Sequence, residues 1–159
     1  MVVVNSSPII SLGKIGRLDL LHKVFGKIII AKQVYEEIIS KPYKEEAIAL
    51  KKAVEDEWIK VQSSEEIKSN LGTGESASIY LASKIRQILI ADDKKAVFVA
   101  DTFGIECHGT LYVVMLALNK KVIKNKEEAI EILNSLIENK LYLSSDVLSE
   151  FYGLLGKIN

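Results

Sequence analysis

The chain has 159 residues, the size of a single domain, and can bury roughly 68–70% of its unfolded surface without staples. Its one cysteine, Cys107, excludes an internal disulfide and points to a reducing compartment. Lysine plus arginine equal aspartate plus glutamate at 21 each, so the basic excess typical of nonspecific nucleic-acid binders is missing. The only arginines are Arg17 and Arg86, which leaves lysine, a point charge, as the main cation. The apolar Met1–Val4 run is too short for a signal peptide or membrane span and meets Asn5-Ser6-Ser7-Pro8 at once. The expectation is a soluble, cytoplasmic protein that does not enter a membrane.

In chain order, Val2–Val4 reads as a first strand. Ser7-Pro8 reads as an N-cap with proline at the first helical position, and Gly16 as the end of that helix. Leu18, Leu20, Leu21 and Val24 predict a second short helix, and Lys27–Ile30 a second strand. Val34, Ile38 and Ile39 mark a helix closed before Pro42; Ala47, Leu50 and Val54 mark the next. Trp58–Val61 is the third strand. Gly74-Glu75 opens a helix with Ile79, Ala82 and Ile85 inward, and Ile88–Ala91 follows as the fourth strand. Lys94–Phe103 is helical, with Gly104 suited to the position past its end, and Ile105–Cys107 is the fifth strand. Leu111, Val114, Met115 and Leu118 keep helical spacing. Asn125 with Glu128 caps a helix carrying Ala129, Ile132, Leu133 and Leu136, and a last helix covers about 147–155. Short β-rich runs alternating with helices predict an α/β fold with a parallel central sheet.

Ligands of such sheets bind beyond the carboxyl ends of the strands. The residues after each strand are therefore the candidates. Asn5-Ser6-Ser7 follows the first, Glu36 and Glu37 lie in the helix after the second, and Asp92-Asp93 follow the fourth. Glu75 starts the helix that runs back to the fourth strand, so it shares the same edge. Gathered carboxylates repel unless a cation neutralises them. Oxygen ligands suit Mg²⁺ or Mn²⁺, which activate water and stabilise the oxyanions of phosphodiester cleavage.

Each residue also has a plainer role. Asp92-Asp93 suits a turn and N-cap before Lys94, Glu75 a helix-dipole partner, and Asn5 a turn residue. At about 100° per residue, Glu37 flanks the Val34/Ile38 face and Glu36 points away. Taken jointly on one sheet edge, they favour a metal site. His22 and His108 lack ligand spacing to each other or to Cys107, which argues against zinc. Gly72-Thr73-Gly74-Glu75 lacks the rest of a dinucleotide fingerprint and the lysine of a P-loop; it reads as a tight turn that aims Glu75.

In these segments the sequence resembles a PIN-domain protein, of a prokaryotic branch related to VapC-type toxins. They are Val3-Val4-Asn5-Ser6-Ser7-Pro8-Ile9-Ile10, Ile30 to Glu37, Gly72 to Ala77, Ile90 to Ala96, Gly104-Ile105 and His108 to Leu111, in order over most of the chain. The resemblance implies a three-layer α/β/α sandwich over residues 1–159. The helices of about 126–159 would then be a cover or a dimerisation extension.

It also implies a Mg²⁺- or Mn²⁺-dependent ribonuclease site of three or four acids. Asn5 stands at the first position, Glu37 at the second, Glu75 at the third and Asp93 at the fourth, with Asp92 its competitor. Ser7 stands at the hydroxyl that supports the first position. An RNA substrate, an antitoxin protein partner and a homodimer complete the implied picture. Two departures stand out: Asn5 replaces the usual aspartate, and Val97 stands where this branch has an arginine. An amide is a poorer ligand for a hard cation. This sets a second expectation beside the first, a PIN-like module that binds RNA or protein without cleaving. A receiver-like phosphotransfer fold is a third, disfavoured because the paired aspartates follow the fourth strand.

Overall fold

The computed structural model describes residues 1–158; Asn159, the last residue of the expected domain, lies outside the described residues. Five short parallel strands form one sheet in the order β3-β2-β1-β4-β5. They are β1 (Val2–Val4), β2 (Ile28–Ala31), β3 (Ile59–Gln62), β4 (Leu89–Ile90) and β5 (Cys107–His108). Val3 registers with Ile29 on one side and Leu89 on the other. β1, β2 and β4 are buried throughout, which is why they read as unbroken apolar runs.

The intervening helices are α1 (Ser6–Lys14), α2 (Asp19–Phe25), α3 (Lys32–Ile39), α4 (Glu45–Glu55), α5 (Thr73–Ile85) and α6 (Lys94–Thr102). α7 (Thr110–Asn119), α8 (Lys126–Glu138) and α9 (Ser145–Leu155) follow β5. The crossovers step first toward β3 and then back toward β5, and the right-handed connection that parallel β-α-β units take then puts helices on both faces, giving three layers, α/β/α. The direction reverses at β1, so the crevice at the carboxyl ends of β1 and β4 is the topological switch point. Among the described residues no helix is long and apolar enough to cross a membrane.

All five expected strands exist, with ends shifted by one or two residues. The start of α1 differs from expectation. Asn5 takes the N-cap position in extended backbone (φ −82°, ψ 176°), and Ser6 and Ser7 are already helical. Pro8 is tolerated one turn in because the first N–H groups of a helix have no intrahelical partner to lose. The α5 start also moves back, to Thr73 after Gly72. α6 ends at Thr102, and Gly104 takes the expected left-handed turn at φ +70°. In α4 it is Ala53 that is buried, with Val54 only partly so.

The later helices follow the sequence pattern closely. Leu111, Val114, Met115 and Leu118 are buried in α7, and Ala129, Ile132, Leu133 and Leu136 in α8. Asn125 Oδ1 accepts the Glu128 N–H at 2.9 Å, while Glu128 reaches back to accept the Lys124 N–H at 2.8 Å. This closes the α8 N-terminus with reciprocal side-chain bonds. In α9, Phe151 and Leu155 face inward, whereas Val147 and Leu154 remain exposed.

Candidate functional site at the sheet edge

The site is organised by the first turn of α1. The Asn5 N–H donates to Ile90 O at 2.9 Å, which ties the end of β1 to the end of β4. Its side chain is 2% exposed, and Asn5 Oδ1 accepts the Ser78 hydroxyl of α5 at 3.2 Å. The next two residues turn their hydroxyls to opposite flanks. Ser6 Oγ donates to Glu37 Oε2 at 2.7 Å, and Ser7 Oγ donates to Asp92 Oδ2 at 2.7 Å. A helix start immediately after a buried strand thus presents three consecutive polar side chains to α5, α3 and the β4–α6 loop.

Asp92 is the most heavily bonded carboxylate of the group. Besides Ser7, it accepts the Thr110 N–H on Oδ1 and the Thr110 hydroxyl on Oδ2, both at 2.7 Å. Thr110 is the first residue of α7, so this bond also places Asp92 at a helix N-terminus, where negative charge is favoured. Asp93 is exposed and sits at the N-cap of α6, where its Oδ2 accepts the Ala96 N–H at 3.3 Å. The two adjacent aspartates have therefore separated into a held side chain and a cap.

Glu37 and Glu75 make up the other flank. Glu36 is exposed and lies 3.7 Å from the Lys32 ammonium, pointing away from the edge as the helical angle requires. Glu75, the third residue of α5, is half-buried and folds back over the Gly72 N-cap. A Cβ at Gly72 would lie 2.6 Å from Glu75 Oε2. Gly74 and Gly109 repeat the pattern. A Cβ at Gly74 would stand 3.0 Å from Glu37 Oε2, and one at Gly109 2.9 Å from Asp92 Oδ1. Each of the three carboxylates thus lies against a backbone stripped of its side chain.

The donors match a hard divalent cation in kind. They are carboxylate and amide oxygens, and the glycines leave space beside the carboxylates that side chains would fill. Among the described residues no group of three or more His, Cys, Asp or Glu side chains closes into a ready ligand cage. Mg²⁺ suits such a set, because it keeps several waters and takes one or two carboxylates together with substrate phosphate.

Beside Asp92 opens a groove of about 1220 Å³ between α1, α6, α7 and α9. Ile10, Val97, Phe98, Met115, Leu141 and Leu154 contribute apolar wall. Val97, at the position of the expected arginine, supplies wall in place of charge. Cys107 on β5 lines the same groove, and burial pushes its thiol pKa up to about 11.

The roles of Ser6, Ser78, Gly109 and Thr110 were not drawn from sequence. The signal available for them was a hydroxyl residue, or glycine then hydroxyl, at a helix start directly after a strand.

Comparison with known proteins fits this geometry. A family model described as PIN domain matches residues 1–157. Among solved structures, a PilT N-terminus domain protein from the hyperthermophilic archaeon Sulfolobus solfataricus P2 aligns with TM-score 0.54 and 20% identity. The alignment covers 71% of this chain and 90% of that one, a likeness of fold. No curated protein matches.

Proposed function

The chain belongs to the PIN domain family, generally a nuclease family, and from that premise we propose that it is a Mg²⁺- or Mn²⁺-dependent endoribonuclease. What supports the reading is a single arrangement: Glu37 and Asp92, from opposite flanks, are both hydrogen-bonded to adjacent hydroxyls of one helical turn, beside buried Asn5 at the switch point of the sheet. Glu37, Glu75 and Asp92 would hold the cation, with Asn5 assisting through its amide oxygen. Asp92 is preferred to Asp93 because Ser7 and Thr110 hold its carboxylate beside Asn5, whereas the exposed Asp93 caps α6.

A bound divalent ion would supply activated water and charge neutralisation at the phosphate oxygens. The chain's own residues do the rest. Ser7 and Thr110 fix the Asp92 carboxylate, and Ser6 fixes that of Glu37. In the full reading the protein acts in the cytoplasm as the toxin of a toxin–antitoxin pair and as a homodimer. Exposed Val147 and Leu154 on α9 offer the second copy apolar surface.

The test is RNA cleavage with Mn²⁺, comparing wild type with Asp92→Asn. Cleavage by wild type and its loss in the variant support the reading; an inert wild type overturns it. A monomeric mass in light scattering removes the homodimer from it.

One observation favours a second reading. The first position is a neutral amide that already accepts the Ser78 hydroxyl, which suits a PIN-like module binding RNA or protein without cleaving. Calorimetry that detects no Mn²⁺ binding at millimolar concentration would select this module. Cleavage gained by Asn5→Asp would instead show that only the first ligand is missing.

A further inference from the structure

We propose that the two oxygens of Asp92 have different tasks: Oδ2 is the anchor, held by the positioning residue Thr110 together with Ser7, and Oδ1 is the ligand-facing oxygen, kept accessible by Gly109. The inference rests on the metal-site reading above and adds which atom works and which residues make it work.

A carboxylate has about four acceptor positions across its two oxygens. Oδ2 accepts two hydroxyls, from Ser7 and Thr110, each at 2.7 Å. Those two bonds take both of its positions. Oδ1 accepts only the Thr110 N–H, at 2.7 Å. One position on Oδ1 is therefore spare.

The residue beside that spare position is Gly109. A Cβ there would stand 2.9 Å from Oδ1, with its next neighbours, Ala91 O and Asp92 Cγ, at 3.8 and 3.9 Å. Gly109 does not need to be glycine for its backbone, since φ −94° and ψ −176° are extended values open to any residue. The close approach to Oδ1 is then the physical reason for the missing side chain. Gly109 is half-exposed, so the cleared space opens toward solvent and the groove.

Thr110 is 0% exposed, and its hydroxyl hydrogen bond goes to Asp92. A buried hydroxyl needs such a partner, and valine of the same shape would leave Oδ2 with one donor. The backbone N–H of Thr110 is fixed by the start of α7. The residue thus grips the carboxylate from both sides and sets its rotation.

The experiment is calorimetric titration of the full chain with Mn²⁺, for wild type, Asp92→Asn, Thr110→Val, Thr110→Ser and Gly109→Ala, with a melting curve of each unliganded protein. Loss of an orienting partner typically weakens metal affinity about 10–100-fold, so Thr110→Val and Gly109→Ala should fall about tenfold or more, while Thr110→Ser stays within about threefold. Gly109→Ala should do so while its melting curve still shows one cooperative transition. Wild-type affinity in Gly109→Ala or in a folded Thr110→Val overturns the inference, even where Asp92→Asn shows that the metal site is real. If Thr110→Val does not fold, Gly109→Ala and Thr110→Ser decide alone. A wild type that binds no Mn²⁺ overturns the metal-site reading itself, and this inference with it.

Discussion

The two flanks of the α1 N-terminus hold their carboxylates differently. On the β4 flank, Asp92 carries three hydrogen bonds from Ser7 and Thr110 and has one orientation. On the β2 flank, Glu37 carries the single Ser6 hydroxyl, and Glu75 bends back over Gly72. The difference follows from chain length and anchorage. Asp92 is a short side chain between a strand end and a helix start, both fixed by the sheet. Glu37 and Glu75 are longer, sit on helices, and have more rotatable bonds to order. One flank is organised before a ligand arrives; the other must be ordered by it, at a cost in rotamer freedom.

The largest effect should separate the flanks directly. Asp92→Asn removes a charge and sets an amide that can accept on one side only against three donors. RNA cleavage under single-turnover conditions should fall at least about 100-fold, or about 2.7 kcal/mol, while Glu75→Gln falls about tenfold. Equal losses in the two variants would break the comparison.

Both flanks hang on α1, so displacing that helix should loosen both. A Cβ at Gly13 would meet Glu46 Cβ at 2.8 Å and Glu46 Cα at 2.9 Å, and a backbone atom cannot swing aside. Gly13→Ala should cost about 1–3 kcal/mol in urea unfolding despite alanine's better helix propensity. Wild-type stability would show that α1 and α4 can separate freely.

Asn5→Asp tests the point where the flanks meet. Without a cation it adds a buried negative charge near Glu37 and Asp92, disfavoured by desolvation and by repulsion. Unliganded stability should drop by roughly 1 kcal/mol, about 2–4 °C in Tm for a domain of this size, and Mn²⁺ should more than restore it. A variant more stable than wild type without Mn²⁺ would mean that the two flanks share no electrostatic coupling through position 5.

Asp93 supplies the smaller contrast within one flank. Asp93→Ala should cost about 1 kcal/mol through the lost α6 cap and leave Mn²⁺ affinity unchanged in calorimetry. If it weakens Mn²⁺ as much as Asp92→Asn does, the assignment of cap and ligand is reversed.

Much of this arrangement was legible in the sequence because it depends on period and position. The buried strands read as apolar runs, the helices from α7 onward as i, i+3, i+4 patterns, and the sheet edge as the place where Asn5, Glu37, Glu75 and the pair Asp92-Asp93 fall. Hydrogen-bond pairing was not legible. Nothing in the local pattern says that Ser6 faces Glu37 while Ser7 faces Asp92, since that depends on where α1 begins. The expectation of Ser7 as N-cap placed that start too late. Nor can Asp92 and Asp93 be told apart until α7 arrives, 18 residues later, with Thr110. The glycines at 72 and 74 were readable as turn formers, but their closeness to carboxylates, like that of Gly109, is a long-range property.

The weakest effect offers a reporter on the organised flank. Cys107 lies on β5 beside Asp92, and its thiol pKa rises from 9.0 to about 11, chiefly through burial, with a further push from the Asp92 charge and an opposing backbone bond at Ala91. A thiol whose pKa is raised on folding holds its proton more tightly in the native state. Its contribution to stability is therefore complete below pH 9 and is lost as pH rises from 9 toward 11. Wild type should lose more stability than Cys107→Ala between pH 8.5 and pH 10.5, values chosen about the ordinary thiol range. The thiolate is the reactive form, so alkylation at neutral pH should be slow in the wild type. Replacing Asp92 by asparagine removes one of the two upward pushes and should speed that alkylation slightly. Alkylation as fast as that of an exposed thiol would mean that the β5 edge opens, and with it the flank described here as fixed.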